Sequence, residues 1–500
     1  MKEFLIDRFL EGTLEADEDE AAENQNVKQI LPGDEEGMKR FTGVCEKVKV
    51  YFDQEFNKMP DAMKKQETDL EKNAIIGYRQ DIRKIKGKIQ DTLGKLNLLN
   101  EAYPFYYQSL DDAIFSELYG WSGLTPWAND YTEEYRNSSS AKIIGDKLYC
   151  LIDGKAVLQP QTFPRKRREQ LKRALLTAYP KERIEGGHNE VYLLREDGSH
   201  IRTTIMGGDF TYPDQDVLVF RKYIMSEQNE LSFETLASYG TFPYEAIPLF
   251  KDMIKIGVNM YAVGPVRSGK TTFLQVWQHY EDPSLEGTTV SSDEETDYSG
   301  ITDGPLVQII ADDKKLDQVE KSLKRLDSNY IIMSEVRSPA EYKFYLGITN
   351  MGTRRCKCTI HDENAINIPY KMATEIVTEY GGNQDATIAQ FYSNIDYVFE
   401  MFEVPENRAR KKLKGIVELR YDPVTDRCSA HRICRYVSDK DKWEWKYDIG
   451  DSIRNMAIGQ ENVLQHMEGI LKTLESDSPL TEESVIYPAY YRGNERWKKA

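Results

Sequence analysis

A glycine-rich loop near the middle of the chain has the residue types and spacing of a phosphate-binding site. Gly264 and Gly269 enclose four residues and are followed by Lys270 and Thr271. This spacing lets successive backbone N–H groups surround a phosphate chain. An apolar strand pattern precedes the loop, and a helix is predicted from Lys270 to about Tyr280, whose N-terminal partial positive charge attracts anions. The sequence therefore predicts a nucleotide-binding site.

The loop also assigns roles to individual side chains. Lys270 is expected to reach the β- and γ-phosphates, and the hydroxyl of Thr271 is expected to bind Mg²⁺. ATP and Mg²⁺ are therefore the predicted cofactors. The residues expected to contact the nucleotide are Gly264, Pro265, Val266, Arg267, Ser268, Gly269, Lys270, Thr271 and Thr272.

Three more strand patterns follow the loop, and each ends in charged or polar groups. They are residues 288–292 followed by the acidic run 293–297, residues 329–334 followed by Glu335 and Arg337, and residues 355–360 followed by His361. Strands that alternate with helices predict a parallel sheet, and open α/β sheets bind ligands at the carboxyl ends of their strands. We therefore expect these groups to converge on the nucleotide.

The converging groups suit phosphoryl transfer to water. Glu335 is predicted to orient the attacking water, although a surface glutamate at a loop start is the alternative. Asp293 and Glu294 are predicted to hold Mg²⁺ through water, and a solvated acidic loop is the alternative. His361 is predicted to donate to the γ-phosphate, against the alternative of a structural histidine.

Composition excludes several function classes. The net charge of −17 argues against a dedicated nucleic-acid binder. No apolar run approaches the ~18 residues that span a bilayer, and charges interrupt the first residues too early for a signal peptide. We therefore expect a cytoplasmic protein. The six cysteines are expected to be reduced thiols, although Cys356, Cys358, Cys428 and Cys434 leave a zinc site as an alternative.

The first half of the chain shows weaker patterns. Apolar residues from Ile75 to Leu96 recur at helical steps and predict one long helix, with a basic opposite face that meets acidic lipid, a partner or only solvent. Strands are predicted at Lys147–Ile152, 190–194 and Val217–Phe220, which together favour an α+β domain. The run 15–23 is too acidic to pack and predicts a solvated tail.

At these residues the chain resembles the motor ATPases of type II and type IV secretion systems and type IV pili. The resemblance is strongest to the branch that serves tight-adherence (Tad, CpaF-like) pili, and it extends over residues 75 to 450. Four motifs occur in the family's order: the Walker A loop Gly264–Thr272, an aspartate box at Asp293, Glu294 and Asp297, a Walker B region with Glu335, Arg337 and Glu341, and a histidine box ending at His361.

The resemblance implies a fold and an assembly. The fold is α/β, a RecA-like P-loop ATPase domain with a parallel-rich sheet, preceded by a smaller α+β N-terminal domain and a helical region. The family forms homo-hexameric rings that act with inner-membrane platform proteins, so the chain would attach peripherally to the cytoplasmic membrane. In the family, arginines of the N-terminal domain complete the phosphate site, and Arg221 is the candidate by position.

The residue patterns and the resemblance together predict the domain boundaries. The predicted segments are 1–60, an acidic tail and irregular segment; 61–109, a helical region; 110–224, the α+β domain; 225–240, a linker; 241–450, the ATPase domain; and 451–500, a helical extension with an aromatic tail at Tyr487, Tyr490, Tyr491 and Trp497.

Departures from the family pattern leave two rival functions open. Val266 and Arg267 replace Thr and Gly in the loop, and Ser334 and Arg355 replace glycines. Arg267 either touches a phosphate or restricts a turn that glycine leaves free. The predicted function is an ATP-hydrolysing, ring-forming motor for pilus assembly or protein secretion. The rivals are a conjugation ATPase that moves DNA, which the net charge disfavours, and a non-hydrolysing scaffold.

Overall fold

A computed structural model describes residues 29–179, 188–196, 200–222, 232–292, 298, 300–323 and 325–488. The chain divides into two compact units, residues 1–226 and 227–500. The predictions for the acidic run 15–23, the aspartate box 293–297 and the aromatic tail beyond Tyr487 lie outside the described residues.

The first unit begins with helices that pack around one apolar core. These are α1 (Glu35–Lys58), α2 (Asp61–Ile76), α3 (Arg79–Lys95) and α4 (Leu110–Leu118), with the short parallel strands β1 (Gln29–Ile30) and β2 (Tyr103–Pro104) beside them. The prediction of an irregular segment up to residue 60 is wrong from residue 35 onward. Phe41, Val44 and Val48 recur at helical spacing and are buried in this core, but the many charges around them conceal the pattern.

The single long helix predicted from Ile75 is also wrong, because the chain turns at Gly77. Helix α2 ends at Ile76, and Gly77 adopts φ 117°, a left-handed conformation that favours glycine and ends a helix. Helix α3 then carries the predicted apolar stripe, including the buried Ile85 and Ile89. The predicted apolar stripe is therefore present, but it is divided between α2 and α3.

The rest of the first unit is an antiparallel six-stranded sheet with helices. The strands are β3 (Ser140–Ile144), β4 (Lys147–Ile152), β5 (Lys155–Thr162), β6 (His188–Leu194), β7 (His200–Met206) and β8 (Val217–Lys222), in the order β5-β4-β3-β8-β7-β6. The helices are α5 (Thr125–Ala128), α6 (Glu133–Arg136) and α7 (Arg165–Ala178). Leu171 and Leu175 of α7 pack into the core that the sheet forms. This arrangement confirms the α+β prediction and its three predicted strands.

The second unit begins earlier than predicted. Helix α8 (Phe233–Ser238) falls in the predicted linker, yet Phe233 is fully buried and lies against Phe250 at 5.5 Å and Trp277 at 6.2 Å between ring centroids. The linker prediction is therefore wrong from residue 232 onward, since an aromatic core anchors this helix to the second unit.

A sheet of ten strands organises the described part of the second unit. Its strands are β9 (Met260–Val263), β10 (Gly287–Ser291), β11 (Leu306–Ile310), β12 (Tyr330–Val336), β13 (Lys357–Ile360), β14 (Tyr397–Val404), β15 (Asn407–Asp422), β16 (Arg427–Val437), β17 (Lys442–Trp445) and β18 (Val485–Ile486). The order is β11-β10-β12-β13-β9-β14-β15-β16-β17, and β18 pairs with β16. Strands β9 to β14 run parallel, and the later strands add antiparallel pairs.

Helices connect these strands and follow the sheet. They are α9 (Ile247–Ile256), α10 (Lys270–His279), α11 (Leu316–Leu323), α12 (Pro339–Asn350), α13 (Ile368–Tyr380), α14 (Gln384–Asn394), α15 (Asp451–Met456) and α16 (Glu461–Asp477). The architecture confirms the predicted fold class, a RecA-like α/β domain with a parallel-rich sheet behind a smaller α+β domain. Among the helices of the described residues, none is both long and apolar enough to cross a membrane.

Candidate functional site

The glycine-rich loop joins the central strand β9 to helix α10, as its sequence predicts. Gly264 adopts φ 154°, and a Cβ atom there would lie 2.2 Å from the carbonyl oxygen of Met401. Gly269 adopts φ 88° as the last residue before α10. Both positions therefore require glycine for their backbone conformation. Gly264 also requires it because the carbonyl of Met401 leaves no room for a Cβ atom. The hydroxyl of Ser268 is buried and has no hydrogen-bond partner among the residues that the structure describes. A cradle of this form fits a phosphate group.

Arg267 carries a conformational cost within this loop. Its φ is 67°, in the left-handed region where side chains other than those of glycine, asparagine and aspartate are rare. Arg267, at a position where the resembling family has glycine, therefore keeps the turn but adds backbone strain.

Lys270 is buried, with 5% of its surface exposed, and its ammonium group lies at the carboxyl edge of the sheet. The Nζ atom donates to the carbonyl oxygens of Gly264 at 2.9 Å and Pro265 at 2.8 Å. It also lies 3.1 Å from Nδ1 of His361. Because an ammonium group can only donate, Nδ1 accepts this hydrogen bond and the proton of the neutral imidazole is placed on Nε2.

That assignment directs His361 toward the predicted catalytic carboxylate. Nε2 of His361 lies 2.6 Å from Oε1 of Glu335, and a guanidinium nitrogen of Arg337 contacts Oε2. Lys270, His361, Glu335 and Arg337 thus form one chain of contacts beside the loop, which we call the P-loop relay. The structure brings together these four predicted residues, and it places Glu335 inside β12 rather than after it.

The relay controls the acidity of Glu335. Burial raises the pKa of this carboxyl, but hydrogen bonds and charges from His361 and Arg337 outweigh burial and lower its pKa to about 2. Such a carboxylate is a weak proton acceptor at neutral pH, because efficient general bases have pKa values near the working pH. In this arrangement Glu335 is suited to orienting a water molecule.

Residues that sequence reasoning left without a role hold the relay in place. The Oγ atoms of Ser291 and Ser334 lie 2.7 Å apart, and Thr359 donates to the carbonyl of Ser334 at 2.6 Å. These contacts join β10, β12 and β13 beneath Glu335. The sequence marks Ser334 only as a residue that replaces a glycine of the resembling family, and its hydroxyl partner Ser291 is 43 residues away.

Glu341 supports Arg337 through the start of helix α12. Ser338 and Glu341 form the capping box that the sequence predicts. Oε2 of Glu341 also accepts from the backbone N–H of Arg337 at 2.6 Å. The same carboxylate therefore caps the helix and fixes the backbone that carries the guanidinium group.

The remaining predicted site residues are placed as follows. Thr271 and Thr272 are half-buried in the first turn of α10. Arg221 belongs to the first unit, in β8, where it is paired in register with Ser140 of β3 and Arg202 of β7. Asp293 and Glu294 lie outside the described residues.

The cysteines of the alternative zinc site are buried thiols that form no disulfide within the described part of the chain. Burial raises the pKa of Cys356 to about 12. The described residues contain no group of three or more potential metal ligands.

Comparison with solved structures finds similar proteins among ATPases. One is the VirB11 ATPase from the Brucella suis type IV secretion system, at 12% identity over 59% of this chain and 92% of that chain, with a TM-score of 0.32. Another is the Legionella pneumophila ATPase DotB, at 14% identity over 70% and 90%, with a TM-score of 0.39. A third is the pilus retraction motor PilT, at 14% identity over 69% and 91%, with a TM-score of 0.41. Comparison with protein-family models and curated proteins gives no match.

Proposed function

We propose that the chain is a ring-forming ATPase motor that hydrolyses Mg·ATP to power pilus assembly or protein secretion. The observation that carries the proposal is the P-loop relay, in which the ammonium group of Lys270 and the carboxylate of Glu335 flank the phosphate cradle and share His361. The ordered motifs of the sequence support the same conclusion. Charges of both signs at the end of a phosphate cradle suit hydrolysis better than binding alone.

The relay residues have separate tasks in this reaction. Bound Mg·ATP supplies the phosphoanhydride bond to be broken and a metal charge that stabilises the phosphate oxygens. Lys270 exchanges its carbonyl partners for the β- and γ-phosphate oxygens, and the hydroxyl of Thr271 holds the metal. His361 and Arg337 offer N–H donors to the terminal phosphate, and Glu335 orients the attacking water.

Redistribution of these donors also changes Glu335. Each donor that turns from the carboxylate toward a phosphate oxygen removes a contact that lowers the pKa of Glu335. Burial then raises that pKa toward the range of an effective proton acceptor. The carboxylate is thereby activated only when a terminal phosphate occupies the cradle.

The proposal also includes the oligomeric state and the partners of the protein. The motor is a homo-hexamer in which Arg221 of the N-terminal unit completes a phosphate site, and Asp293 and Glu294 hold Mg²⁺ through water. It works at the cytoplasmic face of the inner membrane with platform proteins, in the manner of Tad pilus ATPases. DNA is a poor candidate for the transported substrate because the net charge is −17.

A second candidate is a nucleotide-dependent scaffold that hydrolyses ATP slowly or not at all. Two observations favour it: the strained backbone of Arg267 in the loop, and the contacts of Glu335 with Arg337 and His361. In a scaffold these contacts would persist after ATP binds.

Steady-state phosphate release with Mg·ATP separates the two candidates. For a motor, Glu335→Gln is expected to lower the rate on the order of 100-fold while ATP still binds, because the neutral amide cannot take up a proton from the water. Glu379→Gln, at an exposed glutamate of α13, is the matched control and should keep the wild-type rate. Tight binding without release in either protein would establish the scaffold, and absence of binding would contradict both.

A further inference from the structure

The hairpin of β14 and β15 lies against the phosphate loop on the flank opposite His361. In the sheet, β9 has β13 on one side and β14 on the other. Strand β14 brings the carbonyl of Met401 against Gly264, and β15 brings Lys411 against Gly269. A Cβ atom on Gly269 would lie 3.3 Å from Cγ of Lys411. The aliphatic part of this lysine therefore covers the turn that precedes α10.

The ammonium group of Lys411 is held by an acidic partner on the same hairpin. Glu403 and Lys411 are opposite each other in the antiparallel register. Nζ of Lys411 lies 2.8 Å from Oε2 of Glu403, and it also donates to the carbonyl of Arg408 at 2.5 Å. The Lys411 and Glu403 side chains are 27% and 25% exposed, so solvent reaches both ends of the pair.

The direction of the phosphate chain follows from Lys270. The ammonium group of a P-loop lysine marks the β- and γ-phosphates, and here it points toward His361 on the β13 flank. The terminal phosphate therefore faces β13, and the α-phosphate faces β14 and Lys411.

We propose that Lys411 leaves Glu403 and binds the α-phosphate of a nucleoside diphosphate or triphosphate held in the loop. This inference rests on the proposed function, because it requires a nucleotide in the cradle. The pair of single charges lies at a partly exposed position, where solvent screening keeps its net contribution to stability modest. The α-phosphate offers the ammonium group a second charge-assisted hydrogen bond, beside a loop that the aliphatic part of Lys411 already covers. Glu403 thus competes with the nucleotide for one cation.

Two substitutions with opposite expected effects test the exchange in the full chain. Lys411→Met should weaken the binding of both ADP and Mg·ATP about tenfold, since each carries the α-phosphate and loses one charge-assisted contact. Glu403→Gln should tighten both severalfold, because Lys411 is then no longer held by a charge. Lys411→Arg should retain most of the affinity. Isothermal titration calorimetry measures these constants, and thermal denaturation checks that each variant folds.

Controls keep this inference separate from the proposed function. Lys442→Met changes an exposed lysine of β17 and should leave the affinities unchanged. Equal weakening by Lys411→Met and Glu403→Gln would identify a structural ion pair and overturn the inference, as would no effect of either. Lys270→Ala should abolish binding in the same assay. If Lys270→Ala abolishes binding while Lys411→Met leaves the affinity unchanged, only the proposed role of Lys411 is contradicted. If the wild type binds no nucleotide, both proposals are contradicted.

Discussion

The two ends of the central sheet each bury a lysine, and the lysines differ in what surrounds them. At the carboxyl end, the contacts of Lys270 include two backbone carbonyls and the imidazole of His361. At the amino end, Lys357 of β13 is 1% exposed, contacts the carboxylate of Glu281, and donates to Oε1 of Gln278 at 2.8 Å. Its Nζ atom also lies 4.5 Å from the ring centroid of Tyr330. Arg355 forms a second ion pair with Glu281.

The two lysines illustrate the difference between a charge that stabilises the fold and a charge that can bind a ligand. A buried ammonium group that already contacts a carboxylate would lose that partner if it moved to a ligand, which is costly in a site of low dielectric constant. Carbonyl oxygens and a neutral imidazole are weaker partners, and phosphate oxygens replace them readily. The position of a lysine relative to the strand ends therefore predicts its function better than its burial does.

The largest effect should come from the amino end, through Lys357→Met. This substitution removes one of the two cations of the buried Glu281, which keeps Arg355. Complete loss of the partner of a buried charge costs roughly 3–5 kcal/mol of unfolding free energy, so this range is the upper bound of the expected loss. Urea denaturation measures the change. The nucleotide affinity of the folded fraction should remain that of the wild type, because the residue lies at the opposite end of the sheet from the cradle.

An exposed ion pair provides the control for Lys357. Lys315 and Asp312 lie 3.3 Å apart with side chains 60% and 55% exposed, so Lys315→Met should change stability little. Similar stability losses in both variants would contradict the stabilising role of the buried pair. A large loss of nucleotide affinity in folded Lys357→Met would contradict the separation of the two ends.

A second effect at the amino end depends on pH and comes from Asp396. Burial raises the pKa of this carboxyl to about 7, against the lowering effects of Arg354 and the N–H of Asn259. Since the unfolded pKa is about 3.8, the folded state binds the extra proton, and stability falls as pH rises from about 4 to about 7. The fall amounts to at most roughly 4 kcal/mol.

Asp396→Asn should remove this part of the pH dependence, because the amide keeps an acceptor for the N–H of Asn259 and does not titrate. Relative to the wild type, the variant should gain stability between pH 5 and pH 8 in urea denaturation. Parallel stability curves for the two proteins across this range would show that Asp396 is already ionised in the fold.

Local patterns made much of the site predictable. The spacing of glycines in the loop specifies its backbone, and a charged residue next to a short strand pattern indicates the carboxyl edge, which located Glu335 and His361. The pairing of Lys357 with Glu281 and the contact of Lys411 with Gly269 join segments more than 70 residues apart. Pairings at such separations depend on strand order and register, which a single sequence does not reveal.

The smallest expected effect concerns the backbone strain in the phosphate loop at the carboxyl end of the sheet. Arg267 holds φ 67°, so Arg267→Gly should relieve the turn while Arg267→Ala keeps a Cβ atom in the same conformation. Both variants remove the guanidinium group, so the difference between their unfolding free energies reports the effect of the backbone conformation alone. The glycine variant should be more stable by about 1 kcal/mol in urea denaturation. Equal stability would mean that the loop relaxes in both variants, and that the strain of Arg267 is not stored at the phosphate cradle.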